Sequence, residues 1–148
     1  MIIRQASAFD RNAVIGMLER YKQASPLAFH KNTSMSQAHQ IFSQVIAGAG
    51  VCFVAQDDKD IIGFLLAIKT PNCWDLSVFG LQELAYWVNP ERRGSTAGYR
   101  LIKTYAEYAK DLKAKGDIQY YTISKMCTSP DLDYGRFGFR LLESTWEQ

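Results

Sequence analysis

The sequence predicts an α/β (α+β) fold: one domain with a mixed, mostly antiparallel central sheet of about six to seven strands flanked by helices. Three observations predict it. Short apolar runs and segments of helical period follow one another in the order β-α-α-β-β-β-α-β-α-β. Two of the strand-like runs flank Asp57-Asp58-Lys59-Asp60, a hairpin signal. The 148 residues contain no repeat, low-complexity tract or linker, and that length fits one domain able to bury a large share of its surface.

Ile2 to Ala6 is the opening strand. Asp10 is placed to cap a helix from Arg11 to about Lys22, with Val14, Ile15, Leu18 and Tyr21 spaced for one buried face. Ser25-Pro26 stops that helix, because the residue before proline is pushed out of the helical region. Ser34 or Ser36 then caps a second helix whose Ala38, Ile41, Phe42, Val45 and Ile46 face inward, and Gly48-Ala49-Gly50 ends it. Val51 to Gln56 and Ile61 to Lys69 form the hairpin strands, with Pro71 to Gly80 as a loop. Leu81 to Val88 is a further strand. A long helix runs from about Ala97 to Lys115, with Leu101, Ile102, Tyr105, Ala109 and Leu112 on one stripe and Gly116 closing it. Ile118 to Lys125 is a strand, Ser129 to Phe137 a short helix or turn, and Phe139 to Trp146 a last strand. The strand–helix–strand unit across Leu81 to Lys125 should be a right-handed parallel crossover.

An apolar fraction of 47% and a charged fraction of 22% are ordinary globular values. A net charge of +2 is too small for a strong nucleic-acid footprint. Cys52, Cys73 and Cys127 form no C-x-x-C pair, and an odd count points to reduced thiols. The N-terminus lacks a signal peptide's apolar core, and the longest apolar run, Ile61 to Ile68, is too short to span a bilayer. A cytoplasmic location is therefore expected. His30 and His39 have no metal-ligand spacing with each other or with the cysteines, so no metal is expected.

The run LAYWVNPERRGSTAGYRLIK, residues 84–103, holds the first chemical signal. A strand entering a helix leaves several backbone N–H groups without intrahelical partners, and with the helix dipole these favour an anion. Gly94, Ser95, Ala97 and Gly98 keep side chains small there, while Arg92 and Arg93 bring charge-assisted donors. The competing explanation is an ordinary helix start capped by Ser95 or Thr96, with surface arginines. Three other motifs fail on spacing. Gly94 and Gly98 are four apart with Tyr99 following, which is not a P-loop, and no G-x-G-x-x-G is present. Gly94-Ser95-Thr96-Ala97-Gly98 imitates a nucleophile elbow with Thr96 as nucleophile, but no histidine follows it.

Tyr134-Gly135-Arg136-Phe137-Gly138-Phe139-Arg140 is the second signal: an aromatic hydroxyl just before a glycine turn. Alone, it also reads as a tyrosine packed on the core. Together, the two stretches resemble the GNAT superfamily of N-acetyltransferases. Arg93-Gly94-Ser95-Thr96-Ala97-Gly98 matches the first and last positions of R/Q-x-x-G-x-G/A, with Thr96 in place of the middle glycine, and Tyr134 to Phe139 meets Y-x-x-[L/F]-G-F in full. The resemblance covers nearly all of residues 1–148, as a single acetyltransferase-like domain. The wider run QELAYWVNPERRGSTAG is similar to a subgroup often encoded by bacteriophages.

The resemblance implies an acyl-CoA-dependent N-acetyltransferase with acetyl-CoA as co-substrate. Backbone groups of Tyr86, Trp87 and Val88 would pair with the pantetheine amides like an added strand. The loop of Arg93, Gly94, Ser95, Thr96, Ala97, Gly98 and Tyr99 would hold the pyrophosphate. A backbone N–H near Val88 would polarise the thioester carbonyl, Tyr134 would protonate the leaving thiolate, and Glu83 would take the amine's proton. Glu83 lies an odd number of residues before Val88, whereas many family members carry their glutamate where Gln82 stands. Alternation alone puts Glu83 on the wrong face, and a bulge, common in the family, would restore it. Cys127 stands where relatives often have asparagine. Expected partners are a small-molecule or protein amine, with no nucleic acid or membrane, and a homodimer is possible in such a family. The rival reading is a catalytically idle binding or regulatory module of the same fold, for which Thr96, the offset of Glu83 and Cys127 all speak.

Overall fold

Five strands pair in the order β1-β2-β3-β4-β5 in the computed structural model, which describes residues 1–148. They are β1 (Ile2–Gln5), β2 (Gly50–Asp57), β3 (Asp60–Pro71), β4 (Phe79–Val88) and β5 (Tyr120–Thr122). All pairings are antiparallel except β4 with β5, which is parallel. Helices α1 (Arg11–Gln23) and α2 (Ser36–Gln44) cover one face of the sheet, and α3 (Ala97–Ala114) covers the other. A mixed sheet between helices is the fold class the sequence predicts.

Strand alternation builds two cores. Val51, Phe53, Ala55 and Leu65 pack with Leu101, Ile102 and Tyr105 of α3. Cys52, Val54, Phe64 and Leu66, their neighbours in the chain, pack with Val14, Leu18 and Phe42 of α1 and α2. Both middle strands are thus buried on both faces, which is why they read as continuous apolar runs. Each fully buried leucine or phenylalanine contributes on the order of 2 kcal/mol.

Two helix starts depart from the sequence reading, and at the third one of its two candidates serves. Asp10 makes no cap on α1. Its carboxylate instead accepts from both terminal guanidinium nitrogens of Arg4 at 2.8 Å and from the Ser7 N–H at 2.7 Å, a stronger set of donors than one helix amide. Ser34 and Ser36 bond to each other at 2.9 Å, leaving α2 without a side-chain cap. At α3 it is Ser95 whose hydroxyl takes the Ala97 N–H at 3.3 Å, whereas Thr96 caps nothing.

The strand count is five, not six to seven. Phe139 to Trp146 forms no strand. Leu141, Leu142 and Trp146 are 87%, 67% and 90% exposed, and adjacent leucines cannot share one face of a strand. Only Phe139 finds a ring partner, Tyr121, at 5.7 Å. The penultimate strand shortens from Ile118–Lys125 to Tyr120–Thr122, for a reason that lies in β4.

Candidate active site

Strand β4 carries an extra residue. Ala85 pairs with Leu66 and Glu83 with Ala67, so Leu84 is bulged out of the ladder. The bulge resets the alternation: Leu81 before it and Tyr86 and Val88 after it all lie on the α3 side, while Ala85 and Trp87 lie on the α1 side. An odd offset from Val88 thereby becomes a same-face offset, and Glu83 turns towards α3.

There it separates two strands. The parallel ladder ends at Gln82 with Thr122. The next amide to face β4, Ser124 N–H, donates to Glu83 Oε2 at 2.9 Å rather than to a strand carbonyl. A carboxylate between two backbones holds them farther apart than a ladder does, so β5 stops at three residues and the two strands part beyond it, forming a cleft. Tyr105 of α3 sits at the apex, its hydroxyl donating to Thr122 O at 2.7 Å with Leu81 O at 3.3 Å.

From Glu83 onward the edge of β4 that faces the cleft has no strand partner. Asn89 N–H bonds Ile62 O of β3, so alternation turns the peptide groups of Val88 and Tyr86 to the open edge and those of Trp87 to β3. Of the three residues expected to offer backbone groups, Trp87 therefore cannot. Beyond β4, Pro90–Arg92 forms a short 3₁₀ turn and Gly94 adopts φ +92°. The N–H groups of Gly94, Thr96, Gly98 and Tyr99 bond to no protein acceptor.

The small residues and arginines do not all face a ligand. Ala97 is fully buried in the core. A Cβ on Gly98 would lie 2.5 Å from the Tyr86 hydroxyl, so the size of Gly98 serves the tyrosine. Arg92 pairs with Asp57. Arg93 folds back, its Nε donating to Val88 O at 3.0 Å and its guanidinium lying 4.6 Å from the Trp87 ring centroid. Arg136, which has no carboxylate partner and was not singled out by its spacing, stands 5.9 Å from the Tyr99 ring centroid.

Tyr134 opens a 3₁₀ helix, Tyr134–Phe137, whose start is capped by Asp133 accepting Gly135 N–H at 3.0 Å. Phe137 packs on Tyr99 at 5.0 Å, docking this turn on the first turn of α3. Burial raises the phenol's pKa, with Glu83 and Tyr21 adding to it. Glu83 is 8% exposed, and burial pushes its carboxyl up to about 7, opposed by the Ser124 N–H. Tyr21 of α1, with its hydroxyl 3.5 Å from Leu84 O, closes the α1 side. Cys127 is exposed and, like the other two cysteines, free. No group of three or more His, Cys, Asp or Glu side chains is arranged to hold a metal, and no helix is long and apolar enough to cross a membrane.

A buried carboxylate beside a half-buried phenol, an unpaired strand edge and a row of free amides suit an elongated molecule with amide groups at one end and phosphates at the other. Comparison with known proteins gives the family and the fold. Residues 11–124 match the model of the Acetyltransferase (GNAT) family. A search of curated proteins found no match. A ribosomal-protein-alanine N-acetyltransferase from Brucella melitensis biovar Abortus 2308 superposes with a TM-score of 0.65 at 16% identity, over 99% of this chain and 97% of that one. A predicted acetyltransferase from Clostridium acetobutylicum, solved with acetyl-CoA, gives 0.68 at 13%, over 99% and 94%. A transcriptional regulator from Bacillus halodurans C-125 gives 0.68 at 17%, over 99% and 97%.

Proposed function

The chain belongs to the acetyltransferase (GNAT) family, and from that premise we propose that it transfers an acetyl group from acetyl-CoA to a primary amine by direct attack. The observation that carries the proposal is the bulge at Leu84, which turns the carboxylate of Glu83 into the mouth of the cleft between β4 and β5.

The open edge of β4 fits the pantetheine arm: the peptide groups of Tyr86 and Val88 pair with its amides. The free amides of Gly94, Thr96, Gly98 and Tyr99 fit the diphosphate, with the dipole of α3 behind them. Arg136 supplies a cation without first breaking an ion pair, and Arg93 supplies one by leaving Val88 O. Cleavage of the thioester gives the acetyl donor its chemistry.

An amine of ordinary basicity arrives protonated at neutral pH. Glu83, with its pKa near 7, takes that proton directly or through a water. The neutral nitrogen attacks the thioester carbon, forming C–N as C–S breaks. Charge growing on the carbonyl oxygen meets whichever N–H of Val88 or Tyr86 the pantetheine amides leave free. Tyr134 donates its proton towards sulfur, and the second proton, which the nitrogen sheds as the amide forms, passes through solvent to restore the phenol. Its raised pKa keeps it protonated, and because a thiol is the stronger acid, its help is greatest while C–S is breaking.

The rival, an idle binding or regulatory module, loses its strongest ground once the bulge turns Glu83 into the cleft. Thr96 also stands in no one's way, since its side chain is exposed. The test is release of free CoA thiol from acetyl-CoA in the presence of a panel of amines, together with heat unfolding with and without acetyl-CoA. Binding to the native state alone raises stability by about 2.7 kcal/mol at a hundredfold excess over Kd. An absent shift removes the cofactor site; a shift with no thiol release on any amine supports the idle module.

A further inference from the structure

We propose that the phenol of Tyr86 is itself a cofactor contact, donating a hydrogen bond to the pantetheine–diphosphate part of acetyl-CoA; the inference rests on the acetyltransferase reading above. The residue holds the cleft's edge twice over. Its peptide group faces the open side of β4, while its ring crosses to the α3 side and packs against that core. The ring is long enough to carry its hydroxyl up to Gly98, where an added Cβ would sit 2.5 Å from it. That position is the first turn of α3, among the free N–H groups of Gly98 and Tyr99. Tyr134's 3₁₀ helix docks on the same turn through Phe137 and Tyr99.

The hydroxyl has no protein partner. Two neighbouring phenols do, Tyr105 bonding Thr122 O and Tyr21 approaching Leu84 O, while the hydroxyl of Tyr134 is free like that of Tyr86. A phenylalanine would fill the half-buried space of Tyr86 without leaving a polar group that the fold does not use. Gly98 shows the same economy from the other side, since the backbone there is bare where the hydroxyl arrives. A donor that is held in place by packing and left unsatisfied by the protein is suited to a ligand oxygen running from the strand edge to the helix amides.

The experiment is isothermal titration of acetyl-CoA into the full chain and its Tyr86→Phe variant. The ring stays, so the variant should fold. Its Kd is expected to rise about fivefold to twentyfold, the loss of one hydrogen bond to a polar or charged acceptor. Repeating the titration with 4′-phosphopantetheine locates the contact: an equal loss assigns it to the pantetheine arm, and a loss seen only with acetyl-CoA assigns it to the diphosphate. A parent that binds and a variant that matches it overturn this inference alone; a parent that binds no acetyl-CoA overturns the functional reading as well. A second measurement needs no ligand. Gly98→Ala should lower the melting temperature of the parent and lower it much less in the Tyr86→Phe background. Equal losses in both would mean the hydroxyl does not rest on Gly98, and the inference fails.

Discussion

The carboxylate of Glu83 accepts the backbone N–H of Ser124 at 2.9 Å, one step past the last rung between β4 and β5. A side chain thus does two things at one place: it ends the parallel ladder, and it stands where the two strands part. The bulge at Leu84 makes both possible, because without it the same residue would point into the α1 side.

With its carboxyl near 7, Glu83 gains basicity as pH rises through that value, so kcat/KM should climb through about pH 7 and then level. Glu83→Gln keeps an acceptor for Ser124 N–H but cannot take a proton. It should lose about 10²- to 10⁴-fold in kcat and with it the limb near pH 7. A profile of unchanged shape in the variant would remove Glu83 as the base.

The same residue predicts a stability effect of opposite sign. Its folded pKa, about 7, lies above the ordinary 4.5, so the folded state holds a proton the unfolded state gives up. Stability is then undiminished below about pH 4.5 and falls as pH rises through about 7, by roughly 3 kcal/mol if the whole difference is felt. Glu83→Gln should therefore be more stable than the parent at pH 8 and close to it at pH 4. Urea unfolding at the two pH values checks this, and a variant weaker at pH 8 would mean the burial is relieved by water.

Tyr134→Phe separates acid catalysis from packing. The ring contacts of the Tyr134–Phe137 turn do not need the hydroxyl, and no protein group accepts its proton. Acetyl-CoA affinity and melting temperature should stay near the parent's while kcat falls about 10- to 10³-fold. Single-turnover rates with a good amine acceptor make the comparison; equal rates would leave sulfur to be protonated by solvent.

Much of this was legible because it depends on local pattern. The strands β2 and β3, the stripe of α3 and the hairpin at Asp57–Asp60 follow from apolar runs, periodicity and turn residues alone. Glu83 was singled out through the family resemblance, and its face hung on a bulge that only the register between β3 and β4 shows. Nothing in the sequence near Ser124 marks its amide as the partner of a carboxylate 41 positions away. The partners of the arginines were hidden for a related reason. Spacing puts Arg92 and Arg93 at the rim, yet Asp57 and the Trp87 ring, brought there by the fold, claim them first. The last strand failed because Leu141 and Leu142 are apolar without alternating.

Gly94 tests the junction's backbone apart from its chemistry. Its φ of +92° suits glycine, and a Cβ there would meet nothing within 4 Å. Gly94→Ala should therefore cost about 1–2 kcal/mol through backbone strain alone. Because the strained turn also orients the free amides of Thr96 and Gly98, acetyl-CoA binding should weaken more than stability does. Chemical unfolding and titration of the same sample compare the two, and a neutral substitution would show that the turn relaxes at no cost.

Arg93 supplies the last prediction, because it has something to give up. Its bond to Val88 O and its stacking on Trp87 are together worth on the order of 1 kcal/mol at this exposed site. A diphosphate at the α3 amides offers the guanidinium two charge-assisted bonds instead. Binding should then draw Arg93 off Trp87, the one tryptophan that is buried: Trp87 is 8% exposed, against 91% for Trp74 and 90% for Trp146. The blue part of the tryptophan emission should change as acetyl-CoA saturates, and Arg93→Ala should abolish that change while raising Kd about tenfold. Stability should fall by no more than about 1 kcal/mol. Equal losses of folding and binding would instead make Arg93 a clasp for the strand end, leaving Arg136 as the cation that meets the phosphates.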